Sequence, residues 1–154
     1  MPNLYPEGYE DVVITMQDLK ANQPVGYKNG IAFDYEAGDF KRDGMNKILD
    51  STGIQSWKDW CINCLQTERY KHLAYSADFG IELDAVFSAS NREEAENILT
   101  RQISEALMAD PYERTAFVSE IKYNWTAPDT VYVDVTVHGI SDVTIDITAY
   151  LTRY

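Results

Sequence analysis

Cys61 and Cys64, two residues apart, form the most reactive-looking grouping in the chain. A CxxC spacing serves either a redox dithiol or half of a tetrahedral zinc site. A redox pair belongs at the first turn of a helix, where free backbone N–H groups lower the thiol pKa. Here both cysteines fall in the second half of a predicted helix, on its apolar stripe beside Trp57 and Trp60. Zinc needs two further ligands, and His72 and His138 lie far apart in the sequence. The cysteines are therefore expected to pack in the core. For acid–base hydrolysis, the carboxylates nearest an aromatic-rich stretch are Glu68, Asp78, Glu82 and Asp84. A glycosidase needs two of them flanking a cleft, one with a raised pKa. With 25 acidic residues in the chain, clustering of this kind arises by chance. There is no G-x-S-x-G nucleophile elbow, phosphate-binding glycine loop or calcium loop. No catalytic residue, cofactor or metal is expected.

The elements that would position these groups can be read from periodicity. Residues 1–30 hold Pro2, Pro6, Gly8, Pro24, Gly26 and Gly30 around one strand-like patch at residues 12–15, which predicts a partly irregular arm. Ile31, Phe33 and Tyr35 alternate with Ala32 and Asp34, predicting a short strand with one buried face. A short helix is expected at residues 45–50. Ile54, Trp57, Trp60, Cys61, Cys64 and Leu65 recur at three- and four-residue spacing, so a helix should bury that stripe, with Ser56 as its cap and Asp59 three residues on. A second helix should begin at the Asn91 cap, carry Glu93 and Glu94 in its first turn, bury Ile98, Leu99, Ile103, Ala106 and Leu107, and stop at Pro111. Three alternating runs follow. The first sets Phe117, Ser119, Ile121 and Tyr123 against Val118, Glu120 and Lys122. The second contains Val131, Val133, Val135 and Val137, and the third Val143, Ile145 and Ile147. Turns at residues 127–129 and 139–142 make them an antiparallel meander. The fold class is thus α+β. Residues 31–154 are expected to form a single domain, with two main helices on a mostly antiparallel sheet.

Composition limits the partners. The 154 residues are 45% hydrophobic, with eleven tyrosines and three tryptophans, enough to build a core. The formal net charge of −12 disfavours nucleic acid and anionic lipid, and favours a protein partner with basic patches. No apolar run reaches membrane-spanning length, and the first residues lack a secretory pattern, so a soluble protein made in the cytoplasm is expected.

The segment joining the two helices, LQTERYKHLAYSADFGIEL, carries a more specific signal. Thr67-Glu68-Arg69-Tyr70, then Tyr75-Ser76, then Asp78-Phe79-Gly80-Ile81-Glu82-Leu83 combine with Phe33-Asp34-Tyr35, Asp43-Gly44, the tryptophan-bearing helix and Ala106-Leu107 before Asp110-Pro111. From about residue 31 to residue 146 the chain resembles the small baseplate wedge and sheath-initiator proteins of contractile phage tails, in the branch found in myophages and defective prophages of Gram-positive bacteria. The resemblance implies a structural, non-enzymatic subunit of the tail baseplate. It would be present in several copies in a ring, bound to other wedge proteins and to the tube and sheath proteins, and assembled in the host cytoplasm. A small cell-wall glycan hydrolase of a tail tip is the alternative. A redox or metal module built on Cys61 and Cys64 is a third class. The family carries Glu-Pro-Arg or Asp-Pro-Arg after the second helix; here Tyr112 stands at the arginine position and Arg114 two residues later. Either Arg114 takes the role after a local bulge or the contact is made differently. The interaction candidates are Glu68, Arg69, Tyr70, Asp110, Pro111 and Arg114. Glu68 and Arg69 would either pair with a neighbouring subunit or hold the inter-helix loop.

Overall fold

The computed structural model of the chain describes residues 26–34 and 36–153. Most of the predicted N-terminal arm, with its strand-like patch at residues 12–15, lies outside the described residues, as does Tyr35. The first described structure is a small antiparallel ladder. Strands β1 (Gly30–Ile31) and β4 (Asp50–Ser51) pair with each other, and β2 (Phe33–Asp34) pairs with β3 (Asp39–Phe40). None of the ladder's described apolar side chains joins the core cluster: Ile31 is 51% exposed, and Phe33 meets its cross-strand partner Phe40 edge-on at 5.6 Å. Of the expected buried face, Ile31 is exposed, Phe33 is half-buried and Tyr35 lies outside the described residues. The helix expected at residues 45–50 is likewise absent. Asp43 Oδ1 accepts the N–H groups of Met45 and Lys47, each at 2.9 Å, and Asn46 takes a φ of 64°. A carboxylate satisfying the turn amides, with asparagine in the left-handed region, favours a hairpin over a helix.

Helix α1 (Gly53–Gln66) is capped by Thr52 rather than Ser56, with Thr52 Oγ1 accepting the Gln55 N–H. Gly53, the first helical residue, lies so close to the Tyr27 carbonyl that an added Cβ would clash with it. Trp57, Cys61, Cys64 and Leu65 are buried as the spacing requires, whereas Ile54 is 45% exposed in the first turn. After the short helix α2 (Leu83–Phe87), helix α3 (Arg92–Met108) begins at the expected cap. Asn91 Oδ1 accepts the Glu94 N–H at 2.9 Å, and Glu94 Oε2 reaches back to the Ser90 N–H at 2.8 Å, which satisfies amides at the helix start.

The C-terminal meander has the order β5–β6–β7, from β5 (Thr115–Ala127), β6 (Thr130–Gly139) and β7 (Thr144–Thr152). Helix α1 packs across β7 and helix α3 across β5, so one sheet face is covered. The core joins Trp57, Leu65, Leu99, Ile103 and Leu107 to the inward rows of β6 and β7. The described residues thus form a single α+β domain. One detail differs from simple alternation in β5. A bulge between Val118 and Glu120 shifts the phase, so Val118, Ile121, Tyr123 and Trp125 face the core while Phe117 is 53% exposed.

Candidate functional site

The Asp110–Arg114 pair is the most heavily bonded polar group among the described residues. After α3, Pro111 prevents the helix from continuing, and Glu113 takes a φ of 53°, so the chain turns back sharply. This brings the Arg114 guanidinium onto Asp110, Nε to Oδ2 at 2.8 Å and Nη2 to Oδ1 at 2.9 Å. The Arg114 and Tyr112 backbone N–H groups donate to the same carboxylate at 3.0 and 3.2 Å. Both side chains are buried, at 4% and 0% exposure. The guanidinium also lies 5.8 Å from the Trp60 ring and 5.1 Å from that of Tyr112. Arg114 therefore folds back over a left-handed turn to meet the carboxylate of its own motif, while Tyr112 is left 55% exposed. The pair also ties elements together. The Arg114 carbonyl accepts the Ile140 N–H at 2.9 Å, and next to it Thr115 Oγ1 accepts the Trp57 indole N–H at 3.1 Å.

The inter-helix segment separates Glu68 from Arg69. Arg69 turns inward: its Nε donates to the Gly80 carbonyl at 3.0 Å, its Nη1 lies 3.9 Å from Glu105, and its Nη2 is buried without a partner. Its backbone N–H donates to the Ile81 carbonyl, and the Ile81 N–H returns to Thr67, both at 2.9 Å. Gly80 closes this crossing at a φ of 94°. Glu68 instead stays accessible, 3.6 Å from Lys71, and Tyr70 is 66% exposed with a φ of 68°.

The four carboxylates considered for hydrolysis disperse. Asp78 lines a cavity of about 340 Å³ beside Trp60 and Phe79. Glu68 lines another of about 420 Å³ against Leu83 and β7. Asp84 pairs with Arg153 at 3.6 Å, and Glu82 forms the start of α2, its N–H donating to the buried Gln102 side chain at 2.7 Å. Neither cavity has two of these carboxylates among its described lining residues. Cys61 and Cys64 are both free and fully buried. Burial pushes both thiols up, Cys64 to about 11, opposite to the shift that a reactive thiolate requires.

Strand β7 is the third feature. Among the described residues no strand pairs with its outer side, and the β6–β7 register runs unbroken. The Gly139 N–H donates to the Val143 carbonyl at 2.7 Å, and at the other end the Arg153 N–H donates to Asp129 at 3.1 Å. These two bonds fix the phase of the ladder: odd-numbered residues of β7 turn their N–H and C=O groups to β6. Thr144, Asp146, Thr148, Tyr150 and Thr152 turn theirs to the open edge. The other outer strand, β5, is interrupted by three register shifts and carries Glu120 and Lys122, features that discourage pairing. The cavity of about 420 Å³ containing Glu68 also borders Tyr150, Leu151 and Thr152, so it lies at the end of the regular edge.

Compared with known proteins, residues 29–142 match the family model described as contractile injection system sheath initiator. The match takes in the hairpin ladder, the three described helices, the Asp110–Arg114 turn, β5 and β6. The chain belongs to the sheath initiator family. That makes it a structural component in the sheath assembly of a contractile, phage-tail-like system, with sheath and tube components as the partners that the family implies. The match ends just before β7, so the edge geometry is an observation on this chain itself. No curated protein matches the chain. Several groups that hold these features together escape sequence reasoning. Tyr27 donates from its hydroxyl to the Ile140 carbonyl at 2.6 Å, and Gln102 is a polar residue on the apolar face of α3. Neither pairing has a local sequence signal, since both join residues distant along the chain. The edge of β7 did have one, the alternation of Thr144, Asp146, Thr148 and Tyr150 with buried residues.

Proposed function

We propose that this chain is a non-enzymatic baseplate subunit that joins wedge proteins to the tail tube and sheath, and that it starts the sheath by presenting β7 as an edge for a strand of the first sheath ring. Several copies would stand in a ring, assembled in the host cytoplasm. The observation that carries this reading is the outer side of β7: a regular, bulge-free row of N–H and C=O groups from Thr144 to Thr152. An added strand gains main-chain hydrogen bonds along such a row, and the alternating side chains set its register. Glu68, which lines the cavity at the end of β7, and the exposed Tyr70 two residues on would contact the incoming chain or a wedge protein. Arg69, Asp110 and Arg114 act from within by holding that surface in shape.

The test is Thr148→Pro. Its N–H faces the open edge, so proline there removes a donor from the docking row and leaves the β6–β7 ladder intact. The tagged variant should fold, with the melting temperature within a few degrees of the parent, yet fail to recover sheath protein from cells assembling the particle. Ala149→Pro removes an inward bond and should unfold the sheet. Normal sheath recovery by a folded Thr148→Pro protein would reject β7 as the docking edge. Failure of the parent chain to recover any sheath, tube or wedge protein would reject the baseplate role.

A further inference from the structure

Next to the Asp110–Arg114 turn, the 340 Å³ cavity has three aromatic rings, Trp60, Tyr75 and Phe79, among its described lining residues. Trp60 and Phe79 meet edge-on at 5.9 Å and Phe79 and Tyr75 stack at 4.5 Å, while His72, outside the lining, lies edge-on to Tyr75 at 5.9 Å. Tyr75 is half exposed, at 52%. Asn63, Ala74, Ser76, Ala106, Ala109 and Pro111 complete the described lining, and Asp78 is the one charged residue in it. The nearby cations are engaged elsewhere: Arg69 on the Gly80 carbonyl, Lys71 beside Glu68, Arg114 on Asp110.

We propose that this cleft receives an arginine side chain presented by a neighbouring subunit of the assembly. The inference rests on the baseplate reading for the identity of the neighbour, though not for the chemistry of the cleft. Aromatic faces attract a cation through their quadrupole, and a planar guanidinium both stacks on rings and pairs with a carboxylate. Rings with a single carboxylate, and no lysine or arginine among the described lining residues, are the complement of that group. The fold already uses this contact one step away, where Arg114 lies over Trp60 and Lys28 over Tyr112 at 5.5 Å. The net charge of −12 draws a basic partner surface towards the chain. Leu73 on the same loop, fully exposed, gives the partner an apolar contact beside the cleft.

The cleft is tested on the purified full-length chain by NMR titration with N-acetyl-arginine amide and with its neutral isostere, N-acetyl-citrulline amide. Arginine amide should saturably shift the Trp60 indole N–H and the amides of residues 72–80. Citrulline amide should bind about fivefold or more weakly, the loss of a cation–π contact. Asp78→Asn, at an exposed position, should retain the fold and bring the two ligands close together. An equal response to both amides, no saturable shift at Trp60, or binding of chitotriose in place of arginine amide would overturn the proposal, the last marking a glycan site. In cells assembling the particle, Asp78→Lys should lower recovery of the neighbouring subunit at least about fivefold, with Glu36→Lys as the exposed control. Parental recovery by a folded Asp78→Lys protein overturns the docking claim while leaving the baseplate reading in place. If the parent chain recovers nothing, the baseplate reading falls, and the amide titration decides the cleft separately.

Discussion

Replacing Arg114 with methionine tests whether its charge serves the fold or a partner. The substitution keeps most of the side-chain volume and removes two charge-assisted hydrogen bonds, at 2.8 and 2.9 Å, from a carboxylate with no solvent exposure. Asp110 would retain the Tyr112 and Arg114 backbone donors, so it loses about half of its partners. Hydrogen bonds to charged groups contribute about 1.5–3 kcal/mol each, and breaking one side of a buried ion pair costs about 3–5 kcal/mol. Arg114→Met should therefore lose about 3–5 kcal/mol, a large share of the ~5–15 kcal/mol typical of a domain. Urea unfolding followed by tryptophan fluorescence reads this as a lower midpoint at unchanged slope, with Trp60 as a reporter beside the guanidinium. A cycle with Asp110→Asn should show coupling of about 2 kcal/mol or more between the two positions. Arg114→Lys should recover only part of the loss, since an ammonium cannot make both bonds of the fork. A loss below about 1 kcal/mol, the value of an exposed pair, would refute the internal-brace argument. A fully stable Arg114→Met protein that fails to enter the particle would make Arg114 an interface residue instead.

Two further outcomes follow from the buried thiols and the loop crossing. Burial raises Cys64 from 9.0 to about 11 and Cys61 further still, so the folded state holds its thiol protons more tightly than the unfolded chain. Stability from this source is complete below pH 9 and declines as pH rises through the folded value. Cys64 alone accounts for a loss of about 2–3 kcal/mol. Urea midpoints at pH 8, 9 and 10.5 should show that decline, and a Cys61→Ala/Cys64→Ala protein should lose most of it; an equal decline in both proteins contradicts the assignment. At Gly80, a Cβ would lie 2.5 Å from the Thr67 carbonyl oxygen, on a backbone with a φ of 94°. Gly80→Ala should lower stability by about 1–3 kcal/mol and speed hydrogen exchange at the Arg69 and Ile81 amides, and unchanged exchange there would show that the crossing tolerates a side chain.

What the sequence made legible divides along the range of the interactions involved. The Asn91 cap, the buried stripe of α1 and the β6–β7 alternation depend on residues within a few positions of each other, and each reads directly as structure. In β5 the alternation holds for Ile121 and Tyr123 but not for Phe117 and Val118, because the extra residue at the Val118–Glu120 bulge inverts the phase on its N-terminal side, with no local mark in the letters. The hairpin at residues 38–51 was misread for a different reason. Its polar composition suits a short helix or a turn equally, and the deciding contacts are the Asp43 carboxylate and the left-handed Asn46. The Arg114 question was posed correctly by the letters, as an arginine two residues late, but only the turn at Glu113 shows where the guanidinium goes.

These observations also explain how a small subunit can be rigid and still adhesive. Its strongest polar contacts, Asp110 with Arg114 and Arg69 with the Gly80 carbonyl, are spent inward, at the ends of α3 and of the inter-helix loop. The outer row of β7 is therefore presented on a fixed frame: α1 packs behind it, the Ile140 turn is anchored by Tyr27 and Arg114, and the register has no bulge to slip through. A regular exposed edge is an aggregation risk in a free protein. Here its open-face residues include Asp146, with Asp134 beside it on β6, and each carboxylate is held by a threonine on the neighbouring strand, Thr136 to Asp146 at 2.7 Å and Thr148 to Asp134 at 2.5 Å. Two identical acidic edges repel when they meet. The same charges accept a strand that carries lysine or arginine opposite them. Self-pairing is thereby disfavoured and pairing with a basic partner strand favoured, which is the discrimination that the proposed docking of a sheath strand on β7 requires.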